Sequence, residues 1–314
     1  MKYRRLGNSG LRVSVIGLGT NNFGTADKPP FHLRQNEASA IIDRALDVGI
    51  NMIDTADVYG AGKSEEFIGV ALKGKRDKAV IATKVYSPMG SGPNDKGSSR
   101  VHIMQQVEQS LRRLQTDYID LYQLHDWDTD TPIEETVRAM DDLVRQGKAR
   151  YAGTSNYAAW QLCEAIWTAR SHHMNTMVSA QPAYSMLNRG IEKELIPFCD
   201  AYGVGILPYF PLANGLLTGK YKRGQAPPKG SRLEANDRGL LTDKNFDIIE
   251  GLERFAQQRG HKLLELAFAW LLSRPSVSSV IAGATKPEQV TSNAASAEWE
   301  LTPEDLAEID AILG

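Results

Sequence analysis

Residues 51–84 read NMIDTADVYGAGKSEEFIGVALKGKRDKAVIATK. The stretch opens on Asn51-Met52-Ile53-Asp54, a short apolar run closed by an acid, and ends on Ala79 to Lys84, a longer apolar run closed by a base. Between them, Ser64 to Lys73 carries the apolar spacing of a helix. Strands that are apolar throughout are buried on both faces, and strands separated by helices run parallel. The same unit recurs along the chain. Val15 to Thr20 precedes a helix over Glu37 to Val48, and Ala79 to Lys84 precedes one over Val101 to Leu114. Tyr118 to His125 leads into Pro132 to Arg145, and Ala149 to Ser155 into Ala158 to Ala169. Val178 to Gln181 leads into Ile191 to Ala201, and Val204 to Tyr209 into helices between Asp243 and Ser273. Val277 to Ala282 with Pro287 to Ala295 completes eight units.

An open doubly wound sheet and a closed ring both fit that alternation. Eight units in a chain of 314 residues favour the α/β class and a (β/α)8 TIM barrel, one domain over residues 1–314. Two additions flank it. Tyr3 to Leu6 and Leu11 to Val15, joined through Gly7-Asn8-Ser9-Gly10, read as an N-terminal β-hairpin. Thr302-Pro303-Glu304 opens a C-terminal extra helix with a capping residue and a proline at its first position. Gly49, Gly147 and Gly203 each stand just past a helix-like run, where a left-handed backbone suits glycine.

A formal net charge of -2 gives no basic face for nucleic acid. Cys163 and Cys199 are isolated and form neither a disulfide framework nor a zinc pattern. His172-His173 are adjacent and do not face one another, so no metal site is expected. With no secretory h-region and no membrane-length apolar run, the expected location is cytoplasmic. Oligomeric state is not legible.

Barrel active sites gather at the C-terminal ends of the strands. The strand ends here carry Asp54, Lys84 and His125, and Tyr59 follows Asp54 by five residues. Each alone reads as a cap, a solvated lysine, a satisfied histidine or a packed ring; together on consecutive strands they read as a site. A free tyrosine, with a pKa of about 10, is a poor acid near neutrality. A lysine ammonium beside it favours the phenolate and lowers that pKa. Asp54 can hold Lys84 charged, and His125 can hydrogen-bond a substrate oxygen. A tuned acid beside a developing alkoxide is what carbonyl reduction requires. No side chain supplies hydride, so a nicotinamide cofactor follows.

Two glycine motifs mislead. Gly17-Leu18-Gly19-Thr20-Asn21-Asn22 lacks the third glycine of a dinucleotide fingerprint, and Gly62-Lys63-Ser64 has Asp57 where a phosphate loop needs glycine. The latter is expected to be a tight turn into a helix capped by Ser64.

At these residues the chain resembles the aldo-keto reductase superfamily. The carrying motifs are Leu18-Gly19-Thr20, Asn51 to Gly60, Ala82-Thr83-Lys84, Leu121 to His125, Gly153 to Tyr157, Pro208 to Leu212 and Gly283 to Asn293, in order over nearly the whole chain. The resemblance implies a catalytic tetrad of Asp54, Tyr59, Lys84 and His125, with Tyr59 as general acid. It implies a cofactor lying extended across the rim, held near its reacting end by Gly19, Thr20 and Asp54. Ser155, Asn156 and Gln181 would bond the nicotinamide carboxamide, and Tyr209 would stack on its ring. Leu212, Gly215 and Lys220 would cover the pyrophosphate. Gly283, Thr285, Lys286, Gln289 and Asn293 would receive the adenosine end, where a helix N-terminus suits a 2′-phosphate. NADPH is the implied cofactor. Gln289 stands where many relatives carry arginine, Gly283-Ala284 replaces a Lys-Ser pair, and Phe210 stands where many have serine. These departures leave NADH use open.

The substrate is expected to be a small carbonyl compound, met by Tyr59, His125 and Trp127, with specificity in the loops Asn21 to Phe31, Tyr86 to Ser98 and Asp126 to Asp128. The long segment Leu212 to Gly239 has the length of a functional loop. An alternative is an NADPH-binding redox sensor or regulatory subunit with little turnover. A third reading, an aldolase-like barrel with Lys84 as a Schiff-base lysine, is opposed by the full-length motif match.

Overall fold

The computed structural model of the protein describes residues 1–24 and 33–314. β1 (Tyr3–Arg5) and β2 (Arg12–Ser14) pair antiparallel as the expected hairpin, Arg4 opposite Val13. Eight parallel strands follow. They are β3 (Ile16–Gly19), β4 (Met52–Asp54), β5 (Val80–Val85), β6 (Ile119–Leu124), β7 (Ala149–Ser155), β8 (Met177–Gln181), β9 (Gly205–Ile206) and β10 (Val280–Gly283). Each pairs with the next, and β10 returns to β3 with Ala282 opposite Leu18. The last seam, between β9 and β10, is closed by backbone bonds. Ile206 N–H donates to Ser276 O at 2.7 Å, Ser278 N–H to Ile206 O at 2.9 Å and Ile281 N–H to Pro208 O at 2.9 Å. The ring is a (β/α)8 barrel.

Helices cover it outside: α1 (Gln35–Asp47), α2 (Lys63–Ala71), α3 (Arg100–Leu114), α4 (Ile133–Arg145), α5 (Ala159–Ser171), α6 (Leu195–Tyr202), α7 (Arg232–Ala235), α8 (Asp243–Gln258), α9 (Leu263–Leu272), α10 (Pro287–Ala295) and α11 (Pro303–Leu313). The amphipathic pattern is direct in α4. Val137, Met140 and Leu143 are buried, while exposed Glu134 and Arg138 pair across one turn at 2.7 Å. At α11, Thr302 Oγ1 accepts from the Asp305 N–H and Asp305 Oδ2 from the Thr302 N–H, with Pro303 at the first position, as expected.

Three elements depart from the sequence expectation for backbone reasons. The helix expected from Ile191 starts at Leu195 after an isolated turn over Gly190–Glu192. That start places Pro197, which has no N–H, within the first turn, where no intrahelical donor is needed. The strand expected over Val204 to Tyr209 is regular only at Gly205–Ile206, because Pro208 cannot continue the ladder as a donor. α2 begins at Lys63 with Gly62 as its N-cap at φ +91°, so Ser64 is not the cap. Ser64 is buried instead and exchanges hydroxyl bonds with Thr20 and Thr55 at 2.8 and 2.9 Å.

The hairpin plugs the N-terminal end of the ring. Leu6 and Val13 are buried with Met52, Val80, Leu121 and Leu207. Arg4 pins it by donating to Val277 O and Leu272 O, each at 2.7 Å. Gly7 seats the turn at φ +54°, and a Cβ there would lie 2.4 Å from Gly203 O. Gly7→Ala is expected to lower unfolding stability by about 1–3 kcal/mol, measured as an earlier urea midpoint with an unchanged m-value. An unaltered midpoint would show that the plug does not bear on the ring.

Candidate functional site

The C-terminal ends of three consecutive strands bring together four side chains. Asp54 is the last residue of β4, Lys84 the penultimate residue of β5, and His125 follows β6 directly. Lys84 is 0 % exposed and donates to Asp54 Oδ1 and Oδ2 at 2.8 and 2.7 Å and to Thr55 O at 2.8 Å. Tyr59 opens a turn over Tyr59–Gly62 whose next three residues are left-handed, Gly60 at φ +58°, Ala61 at +53° and Gly62 at +91°. For alanine this conformation is strained. The turn carries the Tyr59 ring back over the ammonium, with Lys84 Nζ 5.2 Å from its centroid and the His125 ring edge-on at 5.8 Å.

The charges settle in a definite way. Burial pulls the Lys84 pKa down, but Asp54 and Tyr59 together hold it above its ordinary value, so the ammonium persists. Burial pushes the His125 pKa down, Lys84 adds to the effect, and it falls to about 3. The imidazole is therefore neutral at physiological pH. The sequence expectation that Lys84 depresses the Tyr59 pKa needs correction. Lys84 does act in that direction, but burial acts against it and wins, so the phenol lies above its ordinary range.

A cavity of about 790 Å³ opens at this rim. Its wall includes Asp54, Tyr59 and His125, and also Gly19 and Thr20 at the end of β3. Ser155, Asn156 and Gln181 line it from the ends of β7 and β8, but their hydrogen bonds are already engaged. Ser155 Oγ donates to Gln181 O at 2.9 Å, Asn156 Nδ2 to His125 O at 2.9 Å, and Gln181 Nε2 to Asp54 Oδ1 at 2.7 Å. Neither Ser155 nor Asn156 caps the next helix, whose N-cap is Ala158. Tyr209 lines the cavity and its hydroxyl donates to Asn156 Oδ1 at 2.7 Å.

Leu212, Gly215 and Lys220 line the cavity from the segment after β9, and Gly283, Thr285, Gln289 and Asn293 from β10 and α10. Lys286, the exposed N-cap of α10, is not in the wall. Gln289 Oε1 accepts from the Thr285 N–H at 2.7 Å, so one donor at that helix start is already occupied. Trp127 is outside the wall and packs edge-on against Tyr157 and Trp160 at 5.1 and 5.4 Å. Within the loop Asn21 to Phe31, residues 25–31 lie outside the described residues.

The cavity also takes in side chains that sequence reasoning passed over, among them Asn22, Ser231 and Arg232. Arg232 sits in the long segment after β9, whose length was its only sequence mark. The donor set fits a nicotinamide dinucleotide. Lys220 and Arg232 could offer charge to phosphates, Asn214 Oδ1, buried in the wall and among the described residues without a partner, could accept from a hydroxyl or amide, and a Cβ at Gly283 would meet only Gly19 O, at 3.7 Å. Among the described residues no cluster of metal-ligating side chains occurs, and no helix is long and apolar enough to cross a membrane.

Behind the tetrad lies a second acid. Asp57 is 0 % exposed, and among the described residues neither carboxyl oxygen has a side-chain hydrogen-bond partner. Burial and the nearby Glu65 push its pKa up to about 8. Glu65 is itself buried, accepting from Thr83 Oγ1 at 2.5 Å and pairing with Arg113 at 2.7 Å. An unfolded aspartate releases its proton near 3.8. Between about pH 4 and 8 the folded chain therefore holds a proton that the unfolded chain has lost, and stability falls as pH rises through that window. Asp57→Asn is expected to remove this slope, so that the variant gains on the native chain steadily from pH 4 to 8 in paired denaturation curves. A stability difference independent of pH would show that Asp57 is ionised throughout.

Comparison with known proteins agrees with this geometry. The profile of the Aldo/keto reductase family matches residues 15–314. A protein of Oryza sativa subsp. japonica named a probable voltage-gated potassium channel subunit beta is 39 % identical over 100 % of this chain and 97 % of its own length. The L-glyceraldehyde 3-phosphate reductase of Escherichia coli (strain K12) is 37 % identical over 99 % of this chain and 92 % of its own. The versiconal hemiacetal acetate reductase of Aspergillus parasiticus is 35 % identical, covering 98 % and 95 %. With its closed barrel and the motif residues at the strand ends, the chain belongs to the aldo/keto reductase family of oxidoreductases.

Proposed function

We propose that the protein reduces aldehydes or ketones to alcohols, with NADPH as hydride donor and Tyr59 as general acid. The observation that carries this reading is the convergence of a protonated Tyr59, a neutral His125 and the buried Lys84–Asp54 pair on one cavity of about 790 Å³. When bound, the reduced nicotinamide supplies hydride to the carbonyl carbon. The chain's own residues manage the oxygen. The Tyr59 hydroxyl and an imidazole N–H of His125 donate hydrogen bonds to it. As negative charge grows there, the Tyr59 proton passes to the oxygen. An alkoxide is a far stronger base than a phenolate, so the transfer runs downhill even from a phenol whose pKa burial has raised. The Lys84 ammonium stabilises the phenolate left behind, and Asp54 keeps that ammonium in place.

Lys220 and Arg232 beside the cavity, and Lys286 at the head of α10, support NADPH. NADH differs only by the missing 2′-phosphate and fits the same groove, the more so because Gln289 satisfies the Thr285 N–H. The rice relative's name favours a second reading, an NADPH-binding regulatory subunit with slow turnover.

Aldehyde-dependent oxidation of NADPH by the purified protein, with NADH alongside, separates the two. Tyr59→Phe is expected to lower reduction by about 10²–10⁴-fold while NADPH binding, followed by fluorescence, stays within a few-fold. Undiminished turnover would remove Tyr59 from the role of acid. Tight NADPH binding without turnover of any aldehyde would favour the regulatory reading.

A further inference from the structure

The loop after β6 reads Asp126-Trp127-Asp128-Thr129-Asp130, three acids within five residues directly after His125. Two of the three have distinct jobs. Asp128 builds the loop: its carboxylate accepts from the Ser98 N–H at 2.6 Å, the Asp130 N–H at 3.0 Å and the Thr131 hydroxyl at 2.8 Å. Asp126 builds nothing comparable. It is exposed, and among the described residues its carboxylate accepts only from the N–H of its own neighbour Trp127, at 2.9 Å, and makes no ion pair.

Asp126 follows His125 directly, just outside the cavity wall. The preceding residue, His125, lines the cavity, and the His125 carbonyl is tied through Asn156 to the Tyr209 hydroxyl. The Asp126 charge is felt by Tyr209, which lines the cavity, and by Tyr86 after β5 and Tyr157 after β7. On the loop after β5, Lys96 is exposed and, among the described residues, makes no ion pair. The cavity's own cations, Lys220 and Arg232, belong to the segment after β9, three strands around the ring. The rim therefore carries fixed negative charge at the carbonyl end and positive charge on the segment expected over the cofactor phosphates.

We propose that Asp126 selects substrates by charge, making the mouth favour uncharged and cationic carbonyl compounds and reject anionic ones, phosphorylated aldehydes included. The inference rests on the reductase reading. It assigns Asp126 a repulsive role: specificity is a difference of affinities, and an unpaired like charge at the entrance disfavours one class without touching the reacting atoms.

The test compares kcat/KM for 4-carboxybenzaldehyde, its methyl ester and 4-(trimethylammonio)benzaldehyde at low ionic strength, in the native protein and in Asp126→Asn and Asp126→Lys. Against the ester, the native protein is expected to discriminate against the carboxylate by roughly fivefold or more, as one charge at several ångströms implies. Asp126→Asn narrows that ratio by about threefold, Asp126→Lys inverts it, and the trimethylammonium ratio moves the opposite way. In the native protein, high salt narrows both ratios, because an exposed charge is screened. Anion-to-ester ratios that agree within about twofold across all three proteins would overturn the proposal. Failure to reduce even the ester would instead overturn the reductase reading, and this inference with it.

Discussion

The site is organised around one buried ion pair. Lys84 has no exposed surface, and its three N–H donors meet three acceptors, the two oxygens of Asp54 and the carbonyl of Thr55. Leaving either charge without its partner would cost about 3–5 kcal/mol, so both side chains are held to one geometry. That geometry reaches further than the pair. Asp54 also accepts from Gln181 at the end of β8, so a carboxylate on β4 ties strands on different sides of the ring. The arrangement needs the ring to close, and the bonds of Ile206, Ser278 and Ile281 close it. The Arg4 bonds to the Leu272 and Val277 carbonyls brace the same region from the plugged end.

The same two influences, burial and the Lys84 charge, act on both neighbours of the pair with different results. A phenol is neutral when protonated. Burial therefore favours the protonated form while the ammonium favours the phenolate, and the two oppose. An imidazole is neutral when deprotonated, so burial and ammonium both favour the neutral ring, and they add. The outcome is one permanent charge pair flanked by two neutral groups able to donate to a carbonyl oxygen. Asp57 extends the logic. Burial first, and then Glu65 in its pair with Arg113, disfavours a carboxylate at Asp57, which keeps its proton.

Much of this was legible because it depends on local pattern. An apolar run ending in an ionisable residue marks the end of a buried parallel strand, and Asp54, Lys84 and His125 were found that way. Gly49, Gly147 and Gly203 do take left-handed conformations, at φ +83°, +75° and +69°, because a helix stop is a local event. What escaped the sequence was competition among groups distant in the chain. Ser64 has the character of a cap, yet its hydroxyl is drawn to Thr20 and Thr55. Trp127 follows His125 by two residues, yet Tyr157 and Trp160 draw it away from the cavity. The sign of the Tyr59 shift escaped for the same reason. A lysine nearby is visible in sequence, but the depth of burial that outweighs it is not.

The cavity is most nearly self-satisfied where the proposed reaction occurs. Asn156 uses its amide nitrogen on His125 and its oxygen on Tyr209, and Gln181 spends its amide nitrogen on Asp54. A carboxamide arriving among these groups exchanges one hydrogen bond for another, and such exchanges contribute little net free energy. Cofactor affinity must then come from elsewhere. In the proposed complex, stacking on Tyr209 would be one source, and the charges of Lys220 and Arg232 on phosphate the larger. These two side chains lie on the segment after β9, which at two residues is the shortest strand of the ring. In the proposed complex, binding strength would fall to that segment, and orientation of the reacting end to the ion pair and its neighbours at the ends of β4, β5 and β6.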